Sequence, residues 1–547
     1  MMSKKTHTVS IRLLRDHKQP DEAVREGVTL SEWDKLEGAK IALDTLNGGT
    51  PKWAKFLNLT EQQKKAIFNV TAYGLIFLST KGRWFALSFG LGHVKLDPDA
   101  FEQDFGLRVV LNTVAPTKLR SADIRTPDEN TTTRRTQTAR RSDQTAFSID
   151  IERDIVRGLA GEPHDTTFAL RVAGSDGLTL TKEMDVGDLP QVCADALTAF
   201  SKTDYKTNFG WVDQIKHVRD KALIEKLNVA LAAALHGALT GPIPDTLHLA
   251  YPVIYDPEKA RHIQFKGFRS TNIHTDLEIS AYMADLKERG VTAYAAEHLV
   301  LHKAHECDAN GKDEGGSWKI KECLVFEAEV DGQKYVLSGD RWYCIEANLA
   351  KEVSDFFATI PIHTLPLAEA NDNEESYNKR VASGGHDLLC LDRKTVKPTG
   401  ANYAIEACDF LGKDGAFVHV KDHTSSSRLS HLFNQGTVSA RVLKMDGAFR
   451  DLLRVEIGKQ EAAFALTGYQ AQLAGASTSL DPAKHKVIYG VLCAQNTARL
   501  PFFSLVTFRQ AAKDLQALGF SCAFAWIKKP ASTKAKKPRK PKGGGAP

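Results

Sequence analysis

The stretch from His386 to Met445 contains three short apolar runs followed by a segment with helical periodicity. The runs are DLLCLDRK, YAIEACDFL and AFVHVK, and the Gly, Lys and Asp residues between them favour turns. The sequence from Gly412 to Gly415 predicts a hairpin between the second and third runs. A Ser/Thr cluster then introduces a predicted helix from Ser430 to Leu443. The pattern therefore predicts three consecutive strands and a helix.

The candidate site residues on the predicted hairpin are Glu406, Asp409, His419 and Lys421. Because side chains alternate along a strand, His419 and Lys421 share one polar face beside the acids of the neighbouring strand. Carboxylate oxygens suit Mg²⁺ or Mn²⁺, so Asp409 and Glu406 are the predicted metal ligands. Lys421 is predicted to activate water or contact a phosphate, and His419 to position water or act as a base. The alternative is an ordinary salt-bridged, solvated sheet edge.

The arrangement resembles the restriction-endonuclease-like nucleases, in which an acid on one strand and an acid-x-Lys pattern on the next hold Mg²⁺. The predicted order of a helix, three strands, a helix and a strand agrees with that fold, and Glu374 or Glu375 is the candidate acid of the first helix. One departure is His419, because it replaces the second acid and neutral imidazole is a poor Mg²⁺ ligand. Glu406 and Asp409 also lie three residues apart, so a regular strand would place them on opposite faces unless a bulge intervenes.

Residues with anion-binding chemistry precede the predicted helix. Ser425, Ser426 and Ser427 lie where a helix N-terminus leaves free N–H groups, and Arg428 follows them. These residues are predicted to hold a phosphate of a nucleic acid. The alternative is a plain helix cap, in which a Ser or Thr oxygen accepts from the first turn.

The length of 547 residues predicts several domains of mixed α/β (α+β) class, the last a restriction-endonuclease-like domain with a mixed sheet. The predicted divisions are an N-terminal α/β module at 1–119, a basic polar loop at 120–146, an α/β unit with a helical second half at 147–254, a β-meander plus helix unit at 255–365, the nuclease-like domain at 366–527 and a disordered basic tail at 528–547.

Two segments concentrate positive charge. The predicted loop contains TTTRRTQTARRSDQ, and its Arg134, Arg135, Arg140 and Arg141 are predicted to lie along a phosphate backbone, the alternative being a solvated loop. The tail from Lys528 carries eight Lys or Arg residues and no acid. Because the net charge of the chain is +5, the first 527 residues have a net charge of −3. Such a tail binds polyanions through counterion release. Its alternative is a solubility tag or a cloning remnant.

The sequence lacks the patterns typical of membrane insertion, secretion and zinc binding. The sequence has no run of about 18 apolar residues, so it predicts no membrane span. The start, MMSKKTHTVSIRLL, lacks the apolar block of a signal peptide. We therefore expect a soluble, cytoplasmic protein without a membrane partner. The eight cysteines are scattered without a C-x-x-C pair, so we expect reduced thiols and no zinc site.

Several longer stretches resemble one known family. They include WFALSFGLGHVKLDPDAFEQDFGLRVVLNT, TRRTQTARRSD leading into FSIDIERDIVRGLAG, VAGSDGL, NFGWVDQI, IEACDF, FVHVK, SSSRLSHLFNQG and LPFFSLVTFR. The resemblance is to a sporadically distributed bacterial family of unknown function, and it extends from about Trp84 to Phe508. Patchy occurrence implies an accessory, antiphage setting and leaves the chemistry to the residues.

The leading prediction is a bacterial defence protein whose C-terminal domain is a nuclease dependent on Mg²⁺ or Mn²⁺ and acting on DNA rather than RNA. Asp409, helped by Glu406 or Glu375, would bind the metal. The first alternative is a non-catalytic nucleic-acid-binding or sensor protein. The second is a scaffold for other defence-system proteins, and either form could be a homo-oligomer.

Overall fold

The computed structural model describes residues 5–47, 57, 59–66, 70–127, 131–142, 144–253, 262–422, 427–494 and 499–530. They form two compact units. Unit 1 comprises Met1–Thr126 and Thr133–Gln214, and unit 2 comprises Pro127–Thr132 and Ile215–Pro547. The predicted domain boundaries fall within these units, and none of them coincides with the division after Gln214. The mixture of helices with mostly antiparallel sheets confirms the α+β class.

Unit 1 is built on one ten-stranded sheet in the order β2-β3-β4-β5-β1-β10-β9-β8-β6-β7. Its strands are β1 Thr6–Leu13, β2 Ser31–Glu32, β3 Lys40–Asn47, β4 Val70–Thr80, β5 Arg83–Gly90, β6 Val114–Thr126, β7 Thr132–Ser142, β8 Ile155–Pro163, β9 Arg171–Gly174 and β10 Leu178–Glu183. Apolar and polar residues alternate along β1, so Val9 and Ile11 enter the core while Thr8 and Ser10 lie on the other face.

The helices of unit 1 are α1 Glu61–Ala66, α2 Phe105–Thr113, α3 Leu189–Ser201 and α4 Lys206–Phe209. Apolar sides of α2 and α3 share the main core of the sheet. The start of α2 lies directly on the β9–β10 hairpin, because a Cβ on Gly106 would lie 2.0 Å from the carbonyl oxygen of Gly177. Glycine is therefore required at this contact.

The prediction of a flexible basic loop at 120–146 is wrong. Most of this interval forms the end of β6 and the edge strand β7. An edge strand can be polar on both faces because one side lacks a neighbouring strand and much of it meets water. The alternating Thr, Arg and Gln residues of β7 fit that position, and several of its arginines pair with acids of neighbouring strands.

The first part of unit 2 contains a five-stranded sheet in the order β11-β18-β17-β16-β12 and a three-stranded sheet, β13-β14-β15. Its strands are β11 Ile215–His217, β12 Leu247–Leu249, β13 His262–Lys266, β14 Lys303–Cys307, β15 Asp313–Lys319, β16 Leu324–Val330, β17 Gln333–Ser338 and β18 Arg341–Ile345. Its helices are α5 Lys221–Thr240, α6 Ile279–Glu288, α7 His298–Leu301, α8 Ile320–Cys323 and α9 Ala347–Ala358.

Helix α5 is the one described helix that is long and apolar enough to cross a membrane by length and composition. Leu227, Leu231 and Leu235 are fully buried in the core that both sheets share. Their spacing of four residues makes one apolar stripe, which is the pattern of a helix packed on a protein core. Packing within unit 2 thus accounts for this stripe, whereas only 28% of the apolar segment of α5 is buried.

The second part of unit 2 is a mixed sheet in the order β19-β22-β23-β24-β25, with β20 and β21 as a separate pair. The strands are β19 Leu388–Cys390, β20 Thr395–Val396, β21 Ile405–Glu406, β22 Phe410–Gly412, β23 Ala416–Asp422, β24 Lys486–Ala494 and β25 Ser521–Lys529. The helices are α10 Glu374–Ser383, α11 Ser427–Met445, α12 Gly447–Phe464 and α13 Phe502–Leu518. Strands β19, β22 and β23 are antiparallel, whereas β23, β24 and β25 are parallel.

Both faces of this mixed sheet are covered. Phe417 and Tyr489 pack with the apolar sides of α11, α12 and α13, whereas Val418 and Ile488 pack with Tyr377 of α10. Burial on both faces explains why β24 is almost continuously apolar. The predicted hairpin, the helix after it and the mixed sheet are confirmed.

The second predicted strand is broken. The run Tyr403–Leu411 forms two short strands, β21 and β22, and residues 407–409 lie outside both of them. Strand β21 pairs with β20, whereas β22 pairs with β19 and β23. Because the chain bends between the two strands, strand alternation does not determine how Glu406 and Asp409 are oriented relative to each other.

Candidate metal centre

Three carboxylates converge where β19 and β21 end and β22 begins. Asp392, Glu406 and Asp409 each offer one oxygen, and these oxygens lie within 4.8 Å of one another. In the described part of the chain this is the one group of converging Asp, Glu, His or Cys side chains that could hold a metal ion. Carboxylate oxygens are the ligands of hard divalent cations. The chemistry of the group fits Mg²⁺ or Mn²⁺.

A tight turn after β19 positions Asp392. The Leu391 N–H donates to the Asp409 carbonyl at 2.7 Å, and the Lys394 N–H closes the turn on the Leu391 carbonyl at 2.9 Å. Arg393 takes the left-handed conformation, with φ of 59°, and its N–H donates to the Glu406 carboxylate. A non-glycine residue in this conformation costs about 1 kcal/mol, and such residues cluster at functional sites.

Asp409 is held from two sides in a buried position. Its Oδ2 accepts from the Val420 N–H at 2.8 Å, and its Oδ1 accepts from Asn378 Nδ2 at 3.2 Å. Asn378 on α10 is fully buried, and its Oδ1 has no hydrogen-bond partner. Burial raises the pKa of Asp409 well above its usual range, and the charge of Glu406 raises it further.

Glu406 is the second acid with a raised pKa. Burial is the main cause, and the charge of Asp392 adds to it. One of its oxygens accepts from Gln435 Nε2 on α11 at 3.3 Å. Crowded, poorly solvated carboxylates favour either a bound proton or a bound cation. The cluster therefore has the electrostatic character of a cation site.

Lys421 provides a positive charge beside the cluster. Its Nζ lies 2.8 Å from Oε1 of Glu374, and both side chains are largely shielded, at 19% and 25% exposed. The charge of Lys421 partly offsets the rise in the pKa of Glu406. Glu374 begins α10, so this ion pair joins the helix to the end of β23.

Glu375 lies outside the cluster. Successive residues on a helix point about 100° apart, so Glu374 and Glu375 face different surroundings. Glu375 pairs with Lys379 at 2.7 Å and with Arg393 at 3.1 Å, and the hydrogen bond from Lys379 is the main reason why its pKa is lowered. The helix acid beside Lys421 is Glu374, and the predicted ligand role of Glu375 finds no support in this placement.

His419 is a core residue. It is fully buried, its Nε2 lies 3.3 Å from the Ser439 hydroxyl, and its ring packs near Tyr489. Burial lowers its pKa to about 3, with a smaller contribution from Lys421. The side chain is therefore neutral and has no access to a substrate, which is contrary to the predicted role in positioning water or as a base.

The whole site lies within a stretch that comparison with known proteins covers. Residues 4–528 match the family of unknown function DUF6119. The chain belongs to the DUF6119 family. No curated protein and no solved structure matches it. The predicted membership of a family of unknown function is confirmed, and the match includes residues of both units.

The predicted anion-binding residues of the DUF6119 protein are only partly placed. Ser425 and Ser426 lie outside the described residues. Ser427 and Arg428 form the first residues of α11. The described helix starts at Ser427, three residues before the predicted first residue, Ser430.

The arginines of β7 belong to unit 1. Arg134 pairs with Asp154, and Arg135 donates to both oxygens of Asp123 at 2.6 Å. Arg141 lies 2.6 Å from Glu162, and Arg140 is exposed. They are components of a folded sheet edge.

Sequence reasoning missed several residues of the cluster. The sequence pattern assigns Asp392 to a predicted strand, although an acid directly after the apolar run LLCL is a signal for a ligand at a strand end. Glu374 and Glu375 are equivalent candidates in the sequence, because both begin the predicted helix. Asn378 and Gln435 carry no sequence signal, because an amide within a helix looks like any polar surface residue.

Proposed function

We propose that this DUF6119 protein is a metal-dependent phosphodiesterase that cleaves DNA as part of a bacterial defence system. The observation that carries the proposal is the convergence of Asp392, Glu406 and Asp409 within 4.8 Å, beside the ammonium group of Lys421. The resemblance to a sporadically distributed bacterial family supplies the defence setting.

The residues present fit a divalent cation. Asp392, Glu406 and Asp409 would hold it through oxygen, which is the preference of Mg²⁺ and Mn²⁺. The Asn378 amide contacts Asp409, and its buried, unpartnered Oδ1 leaves unused acceptor capacity beside the cluster. The raised pKa values of Asp409 and Glu406 mean that a cation would compete with protons for the same oxygens.

When bound, the cation would supply Lewis-acid stabilisation of charge on the scissile phosphate. Lys421 lies at the end of β23, where its ammonium group can contact a phosphate oxygen or orient the attacking water. Glu374 positions Lys421 through the 2.8 Å ion pair. Gln435 and the Arg393 N–H fix the orientation of the Glu406 carboxylate.

The element order supports a fold related to the restriction-endonuclease-like nucleases. Helix α10 precedes β19, the β22–β23 hairpin follows, and α11 and α12 come before β24 in the same mixed sheet. The site departs from the resemblance at His419, which is a core residue. Asp392, from the turn after β19, provides the additional carboxylate.

The test is a cleavage assay with the full-length protein on plasmid, linear duplex and single-stranded DNA, with Mg²⁺ or Mn²⁺ and with EDTA. We expect metal-dependent cleavage that Asp409→Asn and Lys421→Ala each reduce by about 100-fold or more. The matched controls are Asp355→Asn and Lys379→Ala, which change exposed ion pairs on α9 and α10 and should cleave like the wild type.

Cleavage that survives Asp409→Asn and Lys421→Ala would exclude this cluster as the catalytic site. Metal binding without cleavage of any DNA substrate would instead favour the second candidate, a non-catalytic DNA-binding or sensor protein. The replacement of the expected second acid by buried His419 is the observation that favours that candidate.

A further inference from the structure

The ten-stranded sheet of unit 1 has one face on which α2 and α3 pack and a second, more open face. The covered face carries the main core with α2 and α3. On the other face, Phe77, Leu96 and Phe101 form a smaller core near β4 and β5. Toward β10, β9 and β8 that face becomes polar, with a row of hydroxyl groups that begins at the Thr8–Thr181 contact of 2.9 Å.

The polar half of this face contains a cleft of about 500 Å³. The side chains that define its chemistry are Arg120, Gln137, Glu162, Arg171, Thr179 and Thr181. Its floor includes the small residues Ala160, Gly161 and Ala173, which allow a ligand to approach the backbone of the sheet. Among the described lining residues none is aromatic, so a ligand would be recognised by charge and hydrogen bonds rather than by stacking.

Arginines outnumber acids in the cleft. Glu162 accepts from Arg120 Nε at 3.2 Å and Nη2 at 2.8 Å, while Arg141 binds its other oxygen at 2.6 Å. Arg120 also donates to the Ala139 carbonyl at 2.6 Å, so its guanidinium plane is fixed. Arg171 is exposed and adds a third guanidinium group. Arg120 and Arg171 line the cleft, and with Arg141 bound to Glu162 they leave a net positive, preorganised surface around the single lining carboxylate.

We propose that this cleft, the arginine cleft, binds the phosphate backbone of DNA. Guanidinium groups and hydroxyls are the usual partners of phosphate oxygens, and contacts to phosphate position a nucleic acid without selecting its sequence. Exposed Arg140 on β7 continues the positive charge along the sheet edge, which suits a polymer. The inference rests on the proposed function, because it takes DNA as the substrate.

The first experiment measures binding of a labelled DNA duplex to the full-length protein in EDTA, with Asp409→Asn in every variant to prevent cleavage. Arg171→Gln should weaken binding by about 5-fold to 10-fold and reduce the salt dependence by about one unit of slope. Lys202→Gln is the matched control, because it removes one positive charge after α3, which packs on the opposite face of the sheet. It should bind within about twofold of the parent.

Removal of the acid should act in the opposite direction. Glu162→Gln frees Arg120 and Arg141 for phosphate and should tighten binding by about 2-fold to 5-fold. Asp204→Asn removes an exposed acid near Lys202 and should leave binding unchanged. The basic tail is present in all variants and contributes equally to each.

Three outcomes would overturn the proposal that the arginine cleft binds DNA. They are equal losses for Arg171→Gln and Lys202→Gln, unchanged or weaker binding for Glu162→Gln, and competition by polyglutamate as effective per charge as competition by DNA. A failure here is distinguishable from a failure of the nuclease proposal. Asp409 variants affect cleavage and metal binding, whereas Arg171→Gln alters DNA affinity measured without metal.

Discussion

Two aspartates, one in each unit, are equally buried, but one lies beside a positive charge and the other beside negative charges. Asp154 and Asp409 are each 5% exposed. Asp154 pairs with Arg134 and accepts from the Thr126 hydroxyl and the Asp150 N–H. Asp409 instead accepts only neutral donors among its described contacts and lies beside other carboxylates. The difference separates a structural ion pair from a ligand site, because only the second arrangement has charge left to satisfy.

The largest expected effect concerns Asp154. Asp154→Asn would leave Arg134 without its buried partner, so we expect a loss of about 3 kcal/mol in the free energy of unfolding of unit 1. Urea denaturation of the full-length protein, monitored by fluorescence, measures it. A loss below about 1 kcal/mol would mean that Asp154 is solvated in spite of its low exposure, and the comparison with Asp409 would lose its basis.

Asp409→Asn should behave differently in the same assay. At pH 8 in EDTA the variant should be as stable as the wild type or slightly more stable. Its amide oxygen still accepts from Val420, its new NH2 can donate to the unpartnered Oδ1 of Asn378 once that amide turns over, and a buried carboxyl group that is costly to ionise is removed. Mn²⁺ at 100 times its dissociation constant should stabilise the wild type by about 2.7 kcal/mol and the variant not at all. Destabilisation of Asp409→Asn as large as that of Asp154→Asn would instead make Asp409 an ordinary structural acceptor.

The smallest effect is a pH dependence. Burial raises the pKa values of Asp409 and Glu406, so the folded protein retains protons that the unfolded chain has already released. Without metal, the stability that these groups contribute is complete below their unfolded pKa values of about 4 and is lost as the pH rises through the folded values.

The measurement is the difference in Tm between the wild type and Asp409→Asn in EDTA at a series of pH values. The wild type should lose stability relative to the variant as the pH rises, and Mn²⁺ should restore it. A difference that is constant with pH would show that Asp409 is ionised throughout, which is contrary to the burial of its carboxylate.

Local sequence pattern was sufficient for much of the carboxyl-terminal fold. The Gly412 to Gly415 turn and the helical periodicity after Ser430 each correspond to an observed element, because short-range turn and capping chemistry determines them. Strand β7 was predicted as a loop because an edge strand lacks the apolar alternation by which strands are recognised.

The site itself depends on features that periodicity does not contain. Glu406 and Asp409 converge because the chain leaves strand geometry between them, and Asp392 reaches them from a turn with a left-handed residue at Arg393. Which of Glu374 and Glu375 meets Lys421 depends on how α10 is rotated on the sheet. These are tertiary properties, so the sequence indicates candidate residues but does not determine which of them form the cluster.

Direct titration of Mn²⁺ into the full-length protein at pH 8, followed by electron paramagnetic resonance, tests the central claim that the three carboxylates form a metal site. We predict that the wild type and Asp355→Asn bind Mn²⁺ alike, and that Asp409→Asn weakens the binding by about 100-fold or more. Equal Mn²⁺ affinity in the wild type and Asp409→Asn would contradict the account.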